Sequence, residues 1–413
     1  MITKNIQKGQ TLLVKGPTRV TLLNGKLEVF GKIILPKKKS TTTEASELEV
    51  DDVIIVPGAT NYPLFALENS ELEVFTSNEE ENLIVIKENS IPDKWIEIKD
   101  SIISYIKQNE GKSVKIMVLG ISSGKTTLIK YLANNFLNEG FNGSMLDSDL
   151  GQQYCGLPTT LNIGTIEKPI ISGEDIESES TIFIGATFPK GNYKFIVSHY
   201  CNTLINDYMK KNKSKGINFV LIDTDGWIKQ EAGVIYKNFF IKTVDPDIII
   251  VFQDNTIDEL KTIVKNASSK KERKIFLIKE KNKYFFEKNK EERRFLRQSQ
   301  FAKVLENYRK ISIPIDDIQF IKTDYDTDLN EIIERKIDIN NLITLPYHYV
   351  LISLLDENSK MICIGLLFVI NFDKNYILIF SDLSYKEQMR IKKMKIGSLR
   401  LSIKGNHQGY LYL

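Results

Sequence analysis

The chain has 413 residues, of which 42% are hydrophobic and 26% charged, a composition typical of globular proteins with two or three domains. The formal net charge is only +3, which excludes a global attraction to nucleic acid, so any basic binding surface must be local. Three widely spaced cysteines without a C-x-x-C pair, and only three histidines, argue against a disulfide framework and a zinc site.

The location expected from the sequence is the cytoplasm. Few cysteines fit a reducing compartment, and the amino terminus lacks the apolar run of a signal peptide. The longest apolar run, near residues 362–370, is too short to span a bilayer. We therefore expect a soluble protein without a membrane partner.

Residues 1–92 alternate short apolar stretches with turn residues. Strands are predicted at 11–14, 20–23, 27–29, 33–35 and 53–56. They are separated by Gly-Pro, Asn-Gly and Pro-Gly pairs, which favour turns, so an N-terminal all-β domain is predicted for residues 1–92. The basic run at 36–40 is interpreted as an exposed loop rather than a binding site.

The stretch 116–127, I-M-V-L-G-I-S-S-G-K-T-T, is typical of a phosphate-binding loop between a strand and a helix. Backbone N–H groups of such a loop converge on an anion, Lys125 would reach the β- and γ-phosphates, and the Thr126 hydroxyl would bind Mg²⁺. Three residues, rather than the usual four, separate Gly120 from Gly124, so either the loop is short or Leu119 takes the first glycine position. The predicted nucleotide-binding residues are Gly120, Ser122, Ser123, Gly124, Lys125, Thr126 and Thr127.

The rest of the chain divides into an α/β region and a second β region. Helices are predicted at 95–108 and 125–137, and strands at 114–119, 144–146, 181–184, 217–222, 247–252 and 274–278. Apolar strands that alternate with helices predict an α/β P-loop NTPase domain, residues 93–310, with a mostly parallel sheet covered on both faces. Residues 311–413 form a predicted third, mainly β domain, with strands within 343–355, 361–371 and 376–380.

Asp147 and Asp149 follow a predicted strand, in the motif D-S-D-L-G-Q. In an open parallel sheet, ligands bind at the carboxyl ends of the strands. One acid can therefore support Mg²⁺ through water while the other accepts a proton from an attacking hydroxyl. Helix capping or an Asx turn is the alternative. Asp147 is the predicted metal ligand, together with Thr126.

A second acidic motif, D-T-D-G-W, begins at Asp223 after another apolar strand. At this position it is suited to sense a phosphate or to seat a base. Trp227 in this motif either stacks on a nucleobase or packs in the core.

A predicted helix at 287–308 carries three arginines in a chain that otherwise prefers lysine. Arg293 and Arg297 are four residues apart, so they share one helical face and can reach one target. Planar guanidinium groups neutralise phosphoryl oxygens well during transfer. A solvated charged face is the alternative interpretation.

These motifs, with G-A-T-F-P-K-G-N at 185–192 and E-R-R-F-L-R-Q-S-Q-F at 292–301, resemble the polynucleotide 5′-hydroxyl kinase family in order and spacing. That family includes the RNA kinase subunits of pre-mRNA cleavage and ribosomal RNA processing complexes and archaeal-type RNA kinases. The likeness extends to the N-terminal stretch 8–20, K-G-Q-T-L-L-V-K-G-P-T-R-V.

The resemblance implies roles for individual residues. Lys125 and Thr126 would hold the triphosphate and Mg²⁺. Asp149 would activate the 5′-hydroxyl. Thr187 and Trp227 would hold the terminal nucleotide, and Gln152 is also assigned to the substrate-binding residues.

Arg293 and Arg297 match the arginines of the family's lid helix. The sequence departs from the family at three places: the short loop, Asp223 where asparagine is common, and Gln300 where another basic residue is common. The resemblance implies transfer of the γ-phosphoryl group of ATP to the 5′-hydroxyl of RNA, with DNA as acceptor and GTP as donor left open.

The main alternative is a catalytically silent ATP-binding scaffold that docks RNA-processing proteins. A regulatory GTPase is disfavoured, because the chain lacks an N-K-x-D guanine-reading motif after the central strands.

Overall fold

The computed structural model describes residues 1–37, 52–121, 124–254, 256–280, 282–284 and 288–413. Most of the loop predicted at 36–40 lies outside these ranges, as do Ser122 and Ser123. Within the described residues, no helix has the length and apolar character needed to cross a membrane.

The N-terminal region consists of two antiparallel sheets. Its elements are β1 Ile2–Ile6, β2 Thr11–Lys15, β3 Thr18–Asn24, β4 Leu27–Val29, β5 Lys32–Ile34, β6 Val53–Val56, β7 Asn61–Ala66, β8 Ser70–Thr76, α1 Glu79–Asn82 and β9 Leu83–Ile86. The strand orders are β1-β8-β3-β6 and β5-β4-β7-β2-β9. Alternate side chains of β3 and β8 are buried, as in a sheet with one face on the core.

The central region is an α/β sheet. Its elements are α2 Asp93–Gln108, β10 Val114–Leu119, α3 Lys125–Asn138, β11 Gly143–Asp147, β12 Thr160–Ile166, β13 Ser180–Phe183, α4 Tyr193–Lys211, β14 Phe219–Asp223, α5 Gln230–Val244, β15 Ile248–Phe252, α6 Asp258–Ala267, β16 Lys274–Ile278 and α7 Lys290–Leu305. The order is β13-β12-β11-β14-β10-β15-β16. Strands β11, β14, β10, β15 and β16 run parallel, and β12 and β13 extend the sheet antiparallel.

Both faces of this sheet are buried. On β10, Ile116 and Val118 enter one hydrophobic core with helix α3, whereas Met117 and Leu119 enter another with α4 and α5. The first core is continuous with the interior of the N-terminal sheets, which it reaches through Phe30 and other residues of β2 to β8. The central sheet therefore shares one of its cores with the N-terminal region.

The C-terminal region is a mixed sheet. Its elements are β17 Arg309–Pro314, β18 Gln319–Asp326, β19 Glu331–Lys336, α8 Ile339–Ile343, β20 Val350–Leu355, β21 Met361–Asn371, β22 Tyr376–Ser381, α9 Tyr385–Gln388, β23 Lys393–Leu401 and β24 His407–Tyr410. The order is β17-β22-β21-β20-β23-β18-β19, and β24 pairs with β23. Within the predicted β-rich stretch 343–355, strand β20 occupies the second half, and Ile343 ends helix α8, which Asp338 caps.

The predicted fold class is confirmed: a central, mostly parallel sheet with helices on both faces lies between two β-rich regions. The domain boundaries at 92/93 and 310/311 stay a prediction.

Candidate active site

Two glycines with positive φ flank the loop that follows β10. Gly120 has φ of 151° and Gly124 has φ of 76°, values that favour glycine because they are strained for residues with a Cβ atom. Helix α3 begins at Lys125, whose Nζ atom donates to Gly120 O over 3.0 Å and so lies over the loop. Lys125, Thr126 and Thr127 are half-buried in the first helical turn. The N–H groups of this turn can therefore face an anion.

Thr126 and Asp223 join the loop helix to the neighbouring strand β14. The Thr126 hydroxyl donates to Asp223 Oδ2 over 2.6 Å. The other carboxylate oxygen, Asp223 Oδ1, is buried and has no hydrogen-bond partner among the described residues. Burial raises the pKa of Asp223, and the opposing charge of Lys125 lowers it. A threonine hydroxyl beside a carboxylate with an unsatisfied buried oxygen fits Mg²⁺, which prefers oxygen ligands and keeps several waters.

Asp147, the predicted metal ligand, makes hydrogen bonds that shape a loop. It is fully buried; its Oδ1 accepts from Asp149 N at 3.1 Å, and its Oδ2 accepts from Tyr154 N at 2.5 Å and Cys155 N at 3.0 Å. Burial and the nearby charge of Asp223 raise the pKa of Asp147 well above its usual value. Because both oxygens hold backbone N–H groups, Asp223 is better placed than Asp147 to support a cation. The role predicted for Asp147 stays a prediction.

Asp149 lies half-buried at the start of the same loop. Its Oδ1 accepts from Gly151 N and from Gln152 N, each at 3.0 Å, so the Asx-type turn is present. Burial and the charge of Asp225 raise the pKa of Asp149, against the opposing effect of Lys125. A raised pKa makes a carboxylate a stronger proton acceptor, which suits a general base.

The arginine-bearing helix α7 rests on this loop. Gln152 Nε2 donates to Arg293 O over 3.0 Å, and Gln300 Nε2 donates to Gln153 O over 2.8 Å. The Gln300 side chain, which departs from the family pattern, therefore anchors the helix to the loop.

Gly151 marks where the predicted residues come together. A Cβ atom on Gly151 would lie 3.0 Å from Thr187 O, 3.2 Å from Arg297 Nη1 and 3.6 Å from Asp149 Oδ1. The guanidinium group of Arg293 instead donates to Lys288 O, from Nε at 3.0 Å and from Nη2 at 2.7 Å. Arg297 Nη1 and Asp149 Oδ1 thus both lie close to Gly151, and the predicted roles of Arg293 and Arg297 stay a prediction.

Trp227 and Thr187 line the outer part of the site. The Trp227 ring is half-buried, with its centroid 4.5 Å from that of Phe188 and 5.7 Å from that of Tyr236. Phe188 is 43% exposed, so an aromatic pair is accessible to a base. The Thr187 hydroxyl lies 2.9 Å from Tyr410 Oη, on a strand of the C-terminal sheet. The nucleotide-clasping role of Thr187 and Trp227 stays a prediction.

A buried ion pair between Asp225 and Lys237 holds the backbone at Trp227. Asp225 Oδ1 accepts from Trp227 N at 2.7 Å, and Asp225 Oδ2 accepts from the Tyr236 hydroxyl at 2.9 Å. Lys237 Nζ lies 3.1 Å from Asp225 Oδ2, and its side chain is fully buried. Burial lowers the pKa of Lys237, whereas the Asp225 carboxylate raises it. Asp225 thus fixes the backbone that carries the indole.

Sequence reasoning missed three features of this site: the metal-suited position of Asp223, the Phe188 ring and the approach of Tyr410. For Asp223 a signal existed, since an acid that ends an apolar strand is suited to the carboxyl edge of the sheet. For Tyr410, 223 positions from Thr187 along the chain, local patterns held no signal.

The fold and this site define a P-loop nucleotide-binding protein. Residues 120–307 match the family described as mRNA cleavage and polyadenylation factor CLP1 P-loop. The chain is similar to polynucleotide 5′-hydroxyl kinases and to CLP1 homologues.

Relatives with curated names come from archaea and from eukaryotes. A polyribonucleotide 5′-hydroxyl-kinase of Methanocaldococcus jannaschii is 26% identical over 349 residues, which cover 75% of this chain and 92% of the relative. One from Pyrococcus abyssi is 32% identical over 210 residues, 50% of this chain and 55% of the relative. The fold resembles that of Clp1p in a Clp1p–Pcf11p complex, with a TM-score of 0.72, 16% identity and 97% of each chain covered.

Proposed function

We propose that this protein transfers the γ-phosphoryl group of ATP to the 5′-hydroxyl end of RNA. The observation that carries the proposal is the convergence of Asp149, Thr187 and Arg297 around Gly151, with Asp149 under the influence of the Lys125 charge. A proton acceptor, a planar cation and a substrate-contacting segment are what in-line attack on a phosphoryl group needs. The archaeal relatives named polyribonucleotide 5′-hydroxyl-kinase support RNA as the acceptor.

Each residue has a distinct part in this reaction. Lys125 and the N–H groups of the first turn of α3 hold the β- and γ-phosphates. Thr126, and Asp223 through water, would hold Mg²⁺, which neutralises charge on the phosphates when bound. Asp149 accepts the proton of the attacking 5′-hydroxyl, and Arg297 stabilises the negative charge of the transferring group.

The acceptor is held outside this centre. Trp227 and Phe188 offer two ring faces to the terminal base, and stacking of this kind tolerates every base. The backbone of Thr187, next to Phe188 in the chain, lies near Arg297. We therefore propose an acceptor site that selects a nucleotide end rather than a sequence.

A transfer assay tests the proposal. Purified protein is mixed with Mg²⁺, γ-labelled ATP and a short RNA that bears a 5′-hydroxyl, and the label is followed. Label on the RNA is the expected result, and an RNA already phosphorylated at its 5′ end is the control that should stay unlabelled. Parallel reactions with DNA and with GTP define the acceptor and the donor. ATP binding without transfer would identify the silent scaffold, which binds RNA-processing proteins instead.

Lys125→Ala should abolish transfer and leave the fold intact, since the Lys125 ammonium contacts the loop carbonyl of Gly120 rather than the core. The measurement is transfer together with melting temperature. Lys107→Ala is the matched control, because Lys107 lies on helix α2 in an exposed ion pair with Glu139. Full activity in a Lys125→Ala variant that melts like the parent would show that the loop is misassigned.

A further inference from the structure

The strand β24 of the C-terminal sheet reaches the acceptor side of the site. Tyr410 pairs with Leu399 of β23, and its hydroxyl lies 2.9 Å from the Thr187 hydroxyl. The turn before β24 packs on helix α7: a Cβ atom on Gly405 would lie 2.9 Å from Ala302 N. The C-terminal sheet is thus fixed against two elements that line the site.

Tyr410, which contacts Thr187, lies beside two further aromatic rings of this segment. The centroid of the Tyr410 ring lies 4.9 Å from that of His407 and 6.1 Å from that of Tyr412. Tyr410 is 38% exposed and Tyr412 is 71% exposed. We call residues 407–412 the aromatic segment. Large exposed rings are costly to hydrate and are suited to stack on planar ligands.

The aromatic segment is flanked by positive charge. Partial burial lowers the pKa of His407, and so do the charges of Arg297 and Arg294 on helix α7, the helix against which the turn before β24 packs. Arg294 is exposed on helix α7, whereas Arg297 is half-buried beside Gly151. Stacking rings beside cations, continuous with a nucleotide site, match a single strand of nucleic acid.

We propose that the aromatic segment binds the second and following nucleotides of the acceptor RNA, whose bases stack on Tyr410 and Tyr412 while Arg294 contacts a phosphate. This inference rests on the proposed function and adds to it a site for the body of the strand. The strand leaves the catalytic centre past Thr187 and continues onto the C-terminal sheet. Acceptor length then determines affinity, because a dinucleotide reaches only the first ring.

The test compares 5′-hydroxyl RNAs of two and ten nucleotides. Their dissociation constants are measured by competition against a 3′-labelled decanucleotide, without ATP, and transfer is measured separately. The double variant Tyr410→Ala/Tyr412→Ala should weaken decanucleotide binding at least about tenfold more than dinucleotide binding, in line with stacking losses for each base. Tyr410→Phe, with Tyr412 intact, should recover most of the length dependence, because the ring stays while the hydroxyl contact with Thr187 is lost.

Tyr385→Ala is the matched control, since Tyr385 is 76% exposed on helix α9, which precedes the end of β23 remote from β24. It should keep the affinity ratio within about twofold of wild type. Equal weakening for both RNAs, or none in a double variant that melts normally, would overturn the inference; in the latter case a protein segment would be the better occupant.

Failure of the inference and failure of the proposed function give different results. Length-dependent binding without transfer would remove only the kinase proposal. If the wild-type chain transfers phosphate to RNA but its affinity does not depend on RNA length, only the RNA-binding role proposed for the aromatic segment is refuted.

Discussion

The carboxylates of Asp147, Asp149 and Asp223 lie near one another at the carboxyl ends of β11 and β14. Burial makes their charged forms unfavourable. The pKa values of Asp147, Asp149 and Asp223 are all raised, in each case mainly by burial. A carboxyl group whose folded-state pKa is raised favours folding when it is protonated. Its contribution is present below the unfolded pKa, near 4, and is lost as pH rises through the folded pKa. The ligand-free site is therefore a source of instability at neutral pH.

Asp223→Asn should stabilise the ligand-free protein by about 1 to 3 kcal/mol at neutral pH, because it removes a buried charge and keeps an acceptor for Thr126. The gain should vanish below about pH 3, where the Asp223 carboxyl is protonated in both the folded and the unfolded state. Urea unfolding at the two pH values measures the effect. An equal gain at both would show that charge is not its cause.

Mg²⁺ adds an independent check on Asp223. It should raise the melting temperature of the wild-type protein, since ligands that bind only the folded state stabilise it, and it should do so less in Asp223→Asn. Asp247→Asn is a control, because Asp247 precedes β15 and accepts from Lys115 N, away from the loop. If Mg²⁺ stabilises both variants alike, Asp223 does not support the metal.

Asp149→Asn and Asp147→Asn should fail in different ways. Asparagine at 149 keeps an oxygen for the N–H groups of Gly151 and Gln152 but cannot accept a proton, so kcat should fall roughly 10²- to 10⁴-fold without a loss of stability. Asparagine at 147 turns an NH₂ group toward backbone donors, so stability should fall by about 1 to 3 kcal/mol. Rates and melting temperatures of both variants decide this.

The pH profile of kcat/KM tests whether Asp149 acts as a general base. In the wild-type protein the rate should rise with pH through the pKa of Asp149, at a pH above the usual range for aspartate, and this acidic limb should be lost in Asp149→Asn. An unchanged limb would return Asp149 to a purely structural role as an Asx turn.

At the scale of elements, sequence patterns locate apolar strands well and irregular ones poorly. Strands β10 and β21 have the predicted ends, because each is a nearly continuous apolar run bounded by polar or glycine residues. Strand β12 was missed, since Asn162 and Gly164 interrupt its apolar pattern. The β-rich stretch predicted from Ile343 begins with the end of helix α8, because a short apolar run does not by itself distinguish a helical turn from a strand.

Some residues of the candidate site could be predicted from local sequence patterns, and others could not. The phosphate-binding loop and the acids after β11 depend on local spacing, so their positions could be predicted. The pairing of Thr126 with Asp223 depends on which strand lies beside β10, and strand order is a property of the whole sheet. The position of the Tyr410 ring likewise depends on the whole fold, so no local pattern predicts it.

Helix α7 is the element on which turnover should depend most directly. Arg297→Lys should lower kcat more than ATP affinity, because the charge remains while the planar fork is lost. Steady-state rates and ATP dissociation constants measure the two effects. Lys303→Ala on the same helix is the control, as Lys303 and Glu174 form an ion pair with side chains 72% and 80% exposed. A rate unchanged by Arg297→Lys would make this face of the helix a solvated one.

At the scale of the molecule, the net charge of +3 leaves RNA binding to a few local cations. If Arg294 contacts a phosphate, log Kd against log salt should lose about 0.7 of its slope in Arg294→Ala, the share of one contact with a single strand. Arg390→Ala is a control, because Arg390 pairs with Asp356 at 3.4 Å, next to helix α9. An unchanged slope in Arg294→Ala would place the strand away from this helix.

The core that the N-terminal sheets share with the central sheet also determines when the N-terminal region can complete its folding during synthesis on the ribosome. Domains fold as they emerge, amino terminus first. Here the N-terminal sheets emerge with an apolar face whose partners, among them Leu128 and Ile250, are synthesised much later. Translating the intervening stretch takes on the order of ten seconds at 5 to 20 residues per second. During that interval the nascent chain should be a substrate for chaperones that cover exposed apolar surface.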